Sequence, residues 1–149
     1  MEFRDFSLLA VDTKVSEFAD GLARGVLLAT KCTTCGAMHY PPRSDCPECY
    51  GGGFEWIPLE GAGRLVTYTS IFVPPEHFAP DLRCTAPLSR YSYRPKPVGL
   101  VELENGLRVM GWIDGVAPEA VKVGMMLVPV AEILKDGRAT VVLREVGAE

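Results

Sequence analysis

Cys32-Thr33-Thr34-Cys35-Gly36 and, further along, Cys46-Pro47-Glu48-Cys49 decide how the N-terminal part of this chain folds. They are two Cys-x-x-Cys pairs with ten residues between Cys35 and Cys46, the spacing at which a chain doubles back to close a tetrahedral zinc site. Gly36 supplies the close backbone turn that points amides at sulfur. The other chemistry open to four cysteines is a pair of disulfides, which an oxidising compartment would favour.

Working outward, Val15, Phe18, Ala19, Leu22 and Ala23 recur at the three- and four-residue spacing of one helical face, and Gly21 and Gly25 keep that helix short. Val26 to Lys31 then reads as a strand delivering Cys32 into the first metal turn. Pro41-Pro42 and Gly51-Gly52-Gly53 exclude long elements around the second. So few apolar residues lie between Cys32 and Cys49 that metal binding must supply much of the folding free energy there.

Phe54 to Leu59 reads as a connecting strand, and Gly61-Ala62-Gly63 marks a break after which the pattern becomes successive strands. Arg64 to Val73 is rich in β-branched and aromatic residues. Val98 to Leu103 and Leu107 to Ile113 flank Glu104-Asn105-Gly106, a hairpin signal. Met126 to Ile133 and Ala139 to Val146 flank Lys135-Asp136-Gly137, with one helical turn expected at Pro118 to Val121. Five strands with a small helix between the third and fourth suit an OB-type Greek-key barrel, and strand number alone also suits an SH3-like one. The expected fold is mainly β: residues 1–57 form a helix and zinc ribbon, and residues 58–149 form the barrel.

The 149 residues are 48% hydrophobic and 23% charged, an ordinary globular composition. Acids in Met1-Glu2-Phe3-Arg4-Asp5-Phe6, with no apolar run behind them, lead us to expect a cytoplasmic protein without a membrane partner. A net charge of −4 argues against a general nucleic-acid binder. Trp112 beside Arg108 is the one aromatic on the expected second and third barrel strands, and we place it in the core. The alternating Leu65, Thr67, Thr69 and Ile71, with Leu100 and Glu102, read as barrel faces.

The connection from Pro74 to Pro97 is long and broken by prolines, and loops of this length in small domains are commonly functional. Arg83, Arg90, Arg94 and Lys96 stand in it with no acid between Leu82 and Val101, a local charge of +4, and Tyr91 and Tyr93 sit among them. Such a cluster suits an anionic ligand or an acidic partner face.

Phe18-Ala19-Asp20-Gly21-Leu22, the two cysteine pairs, Tyr40-Pro41-Pro42-Arg43 and Gly61-Ala62-Gly63-Arg64-Leu65-Val66-Thr67-Tyr68-Thr69 together resemble the acyl-CoA-associated rubredoxin-like zinc-ribbon/OB-fold family. Val98-Gly99-Leu100-Val101-Glu102-Leu103 and Gly124-Met125 extend the resemblance, which covers about Phe18 to Val146. It implies a small accessory subunit of a thiolase-like, hydroxymethylglutaryl-CoA-synthase-like or hydratase-like enzyme, lacking catalytic residues of its own. It also implies a hetero-oligomer with a thiolase-like catalytic subunit, and acyl-CoA as the ligand handled. Two departures stand out. Tyr50 follows Cys49 where a Gly is usual, and the loop from Leu82 to Lys96 is longer, which suggests the small subunit of an aromatic-degradation thiolase.

Chemically, Cys32, Cys35, Cys46 and Cys49 would saturate a structural zinc and leave no position for water or substrate. Lys31 and Arg43 stand near enough in sequence to offset thiolate charge, or are simply solvated. His39 is not needed as a ligand beside a full quartet. A freestanding acyl-CoA-binding protein or thioesterase, with Cys84 and His77 as the pair for hydrolysis, is a weaker alternative, as is a nucleic-acid-binding module. The basic loop would hold coenzyme A phosphates through Arg83, Arg90, Arg94 and Lys96, with Tyr91 or Tyr93 on adenine, or would meet the partner subunit.

Overall fold

The computed structural model describes residues 14–72, 95–134, 137 and 139–147. The chain divides into two compact units, Met1–Leu59 and Glu60–Glu149.

The first unit opens with helix α1, Lys14–Ala23. Its end is a Schellman turn: Gly25 takes a φ of 78°, Val26 N–H reaches Gly21 C=O at 2.8 Å, and Gly25 N–H reaches Leu22 C=O at 3.0 Å. Val26 is therefore a helix cap and not the start of the strand, which runs as β1 from Leu28 to Cys32. A Cβ on Gly21 would stand 2.7 Å from Leu28 Cδ1, so the missing side chain lets the helix lie close on β1. Phe18 meets Tyr40 edge-to-face at 6.1 Å.

Strands β2 (Met38–His39) and β3 (Phe54–Pro58) flank β1 in an antiparallel sheet of order β2-β1-β3. Thr30 sits opposite His39 on one side and Trp56 on the other. Leu59 N–H bonds Leu27 C=O at 2.7 Å and carries the pairing one step past β3.

In the second unit, β4 (Gly63–Ile71), β5 (Lys96–Leu103), β6 (Arg108–Asp114), β7 (Met126–Ile133) and β8 (Ala139–Glu145) close a barrel of order β4-β5-β6-β8-β7. A 3-10 turn, Pro118–Ala120, precedes β7. β8 pairs with β7 antiparallel and with β6 parallel, the connectivity of an OB fold. The Asn105-Gly106 turn forms as expected: Gly106 has a φ of 80°, and Asn105 Oδ1 accepts the Leu107 N–H at 3.1 Å.

Leu65, Val101, Val109, Leu127 and Leu143 are wholly buried and make the barrel interior. Each such side chain contributes about 2 kcal/mol of transfer free energy. Gly99 and Gly111 face each other across β5 and β6. A Cβ on Gly111 would lie 2.9 Å from the Val141 carbonyl oxygen, and one on Gly99 would lie 2.6 Å from Leu65 Cδ1. Glycine there leaves room for the leucines that fill the barrel.

Two further sequence expectations are corrected. Pairing shifts register between Leu65, opposite Val101, and Thr67, opposite Leu100. Leu65 and Thr67 thus fall on different faces, because an irregularity in β4 breaks the two-residue alternation. Trp112 is not a core residue: Val109, Gly111 and Ile113 turn inward, and Trp112 shares the outward face of β6 with the largely exposed Met110.

Candidate metal centre

The end of β1 places Cys32, and the turn after it places Cys35. Cys46 and Cys49 come from the second turn, between β2 and β3. The two turns repeat one hydrogen-bonding scheme. Gly36 N–H reaches Cys32 C=O at 2.9 Å and Tyr50 N–H reaches Cys46 C=O at 2.8 Å. Likewise Cys32 N–H bonds Ala37 C=O at 2.8 Å and Cys46 N–H bonds Gly51 C=O at 3.0 Å. The residue after each second cysteine takes positive φ, 77° at Gly36 and 59° at Tyr50. A non-glycine residue in that region costs about 1–2 kcal/mol.

The four Sγ atoms lie within 4.8 Å of one another. Contacts join the two turns, Cys32 to Cys49 at 3.6 Å and Cys35 to Cys46 at 3.5 Å. A disulfide would need about 2.05 Å, so the cysteines are not paired that way and all four are free thiols. Sulfurs about 2.3 Å from a tetrahedral zinc stand about 3.8 Å apart, and the cluster fits.

Electrostatics call for a cation at the same place. The amides of Cys35 and then Thr34 draw the Cys32 thiol down to about 6, and the Thr34 N–H stands 3.4 Å from its sulfur. At Cys49 an amide bond from Gly51 favours the thiolate, but the Cys35 thiol, burial and the Cys32 and Cys46 thiols outweigh it and push it up to about 12. Cys35 is also raised: the Ala37 amide lowers it, and the Cys46 thiol and burial act the other way. Four sulfurs this close can all ionise only around a cation. The quartet is a closed, structural zinc site of a zinc ribbon.

Around it, His39 Nε2 lies 3.5 Å from Cys46 Sγ, in position to donate to a metal-bound thiolate and outside the quartet itself. The sequence leaves His39 out of the ligand set; its place opposite Thr30 in a two-residue strand brings it beside the sulfur. Lys31 pairs with Glu55 at 3.5 Å. Thr30, the one buried polar side chain among the described residues, accepts the Arg43 N–H on Oγ1 at 3.2 Å. Of the basic-loop residues, Lys96 begins β5, with Nζ 3.9 Å from Asp114 Oδ1. Arg83, Arg90, Arg94, Tyr91 and Tyr93 lie outside the described residues, as do Cys84 and His77.

A four-thiolate ribbon and a closed five-stranded barrel in one chain define a two-module zinc-ribbon/OB-fold protein. Residues 19–55 match the family description "ChsH2, rubredoxin-like zinc ribbon domain", and residues 56–132 match "ChsH2, C-terminal OB-fold domain". The chain belongs to this ChsH2-type family of zinc-ribbon/OB-fold proteins.

Among its relatives, a DUF35 domain-containing scaffold protein of Methanocaldococcus jannaschii is 32% identical over 114 residues, 76% of this chain and 72% of that protein. The benzoylsuccinyl-CoA thiolase subunit BbsA of Thauera aromatica is 29% identical over 97 residues, 65% of this chain and 57% of BbsA. A probable enoyl-CoA hydratase alpha subunit of Thermomonospora curvata is 32% identical over 103 residues, 68% of this chain but only 28% of that subunit. In three dimensions the chain is similar to a chain of the Ltp2-ChsH2(DUF35) aldolase, with a TM-score of 0.72 at 23% identity, covering 91% of this chain and 97% of that one. At that identity the likeness speaks for the fold. Among the described residues no helix is long and apolar enough to cross a membrane.

Proposed function

We propose that this chain is a non-catalytic accessory subunit of an acyl-CoA-processing enzyme, with a thiolase-superfamily protein as its catalytic partner. The observation that carries the reading is the saturated site: a zinc held by Cys32, Cys35, Cys46 and Cys49 has no position left for a substrate oxygen or an activated water. Its chemistry is to fix the fold. Carbon–carbon bond cleavage or formation beside a thioester then falls to the partner. The relatives support this, since they carry the names of a scaffold protein, a thiolase subunit and a hydratase subunit.

Within that assembly the chain supports its partner's structure and helps bind or gate the CoA substrate. Arg83, Arg90, Arg94 and Lys96 are the phosphate contacts in this reading, with Tyr91 and Tyr93 for adenine or for the partner surface. The test is to purify the chain with its candidate partner and assay thiolysis by the pair and by each alone. Activity only in the pair is expected. Full activity from the partner alone would sink an essential accessory role, and thioester hydrolysis by the isolated chain would point to an enzyme in its own right.

A further inference from the structure

We infer that Tyr50 is a docking anchor, the aromatic side chain by which the second zinc turn seats in an apolar slot with a basic rim on the catalytic partner. The inference rests on the accessory-subunit reading and says which part of the ribbon meets the partner.

The two metal turns supply an internal comparison. They share both main-chain hydrogen bonds, and each requires positive φ at the residue after its second cysteine. The first turn meets that requirement with Gly36, which adopts the conformation without steric penalty. In the second, the equivalent residue is a tyrosine at a φ of 59°. Its residue surface is 88% exposed, so the ring recovers almost nothing by packing within the chain. A large, stiff aromatic held at a steric cost and returning no internal contact has its use outside the molecule. Tyrosine suits an interface, since it brings wide contact area with few rotatable bonds and a hydroxyl for one hydrogen bond.

Charge narrows the partner. On the same turn the exposed Asp45 and Glu48 outnumber the exposed Arg43 that leads into it, and four thiolates around one divalent zinc leave a net negative centre behind them. An acidic tip carrying an aromatic is repelled by nucleic-acid phosphates and by an anionic bilayer surface. It is complementary to a protein pocket with an apolar floor and Lys or Arg at its edge.

The experiment has two arms. In the isolated zinc-loaded chain, Tyr50→Gly should raise the unfolding temperature of the ribbon and leave zinc content unchanged; a lower or unaltered temperature overturns the strain on which the inference is built. In the complex with the co-purified catalytic subunit, Tyr50→Gly should weaken binding about tenfold or more while Tyr50→Phe stays near wild type. A benzoylphenylalanine at position 50 should photocrosslink to that subunit. A complex that forms with unchanged affinity and gives no crosslink overturns the role of Tyr50 and leaves the accessory reading intact. If the chain forms no complex with any thiolase-type subunit from its source, both fall together.

Discussion

The main-chain N–H of Arg43 donates to the hydroxyl of Thr30 at 3.2 Å, so the Pro41-Pro42-Arg43 turn is tied to the central strand of the ribbon through a buried acceptor. Both metal turns are built off that strand: Cys32 ends it, and the tethered segment leads into Cys46. Thr30→Val keeps the shape and removes the acceptor. We expect a loss of about 1 kcal/mol in ribbon stability, with Thr30→Ser retaining most of it, read as the shift in thermal unfolding of the zinc-loaded protein.

His39 should govern how long the zinc stays. Its ring nitrogen lies 3.5 Å from Cys46 Sγ, where an Nε2–H would donate to the zinc-bound thiolate and restrain its exchange. His39→Leu is expected to speed zinc release to a colorimetric chelator about tenfold, while His39→Gln, which keeps an N–H, stays closer to wild type. Equal release from all three would show that the contact is incidental.

Removing the metal should divide the molecule. With chelator and reductant present, the ribbon has too few buried apolar residues to hold its turns, whereas the barrel keeps its own closed sheet. Amide NMR signals of residues 28–58 are expected to collapse to unfolded positions while those of β4 to β8 persist. A ribbon that keeps its dispersion without metal would contradict the structural role of zinc.

Tyr40 provides a pH signature. Burial pushes its phenol from 10.0 to about 12, so the folded state favours the neutral ring. The resulting stability is fully present below pH 10 and is lost as pH rises from there through 12. Phenolate absorbance should show a late-titrating step, and Tyr40→Phe should remove both that step and its part of the alkaline destabilisation.

Gly111→Ala should weaken the barrel. The added methyl would meet the Val141 carbonyl oxygen at 2.9 Å, and backbone cannot move aside as a side-chain end can. A loss of about 1–3 kcal/mol is expected in denaturant unfolding, with zinc content unaffected.

Much of this architecture is legible in the residues because it is local. Paired cysteines fix the ribbon, Asn105-Gly106 fixes a hairpin, and runs such as Met126 to Ile133 are strands over the span expected. What escaped depends on distant partners. β2 is only Met38–His39, too short to show a period, and exists because β1 offers it an edge. The register shift after Leu65 leaves no residue signal, and it reverses which face Thr67 takes. Trp112 reads as core by composition, yet its strand's inward positions are already filled by Val109, Gly111 and Ile113. At the metal site the ligands were readable and their support was not: the Thr30 and His39 contacts join residues 13 and 7 apart in the chain, through folding alone.

Barrel closure also bears on how the chain behaves in a crowded solution. A sheet that returns on itself offers a neighbouring molecule fewer unpaired amides to extend than an open one. Here the closing ladders run over Gly63 and Arg64 against β7 and over Trp112 to Asp114 against β8, and the strands diverge beyond them. The ribbon sheet does not close, and its outer edges lie on β2 and β3. β2 offers only two residues, while β3 carries the charged Glu55 and stops at Pro58, which has no N–H to give. The short ribbon sheet is thus guarded against strand-by-strand self-association by its length, one charge and one imino acid, and the larger sheet chiefly by its curling onto itself.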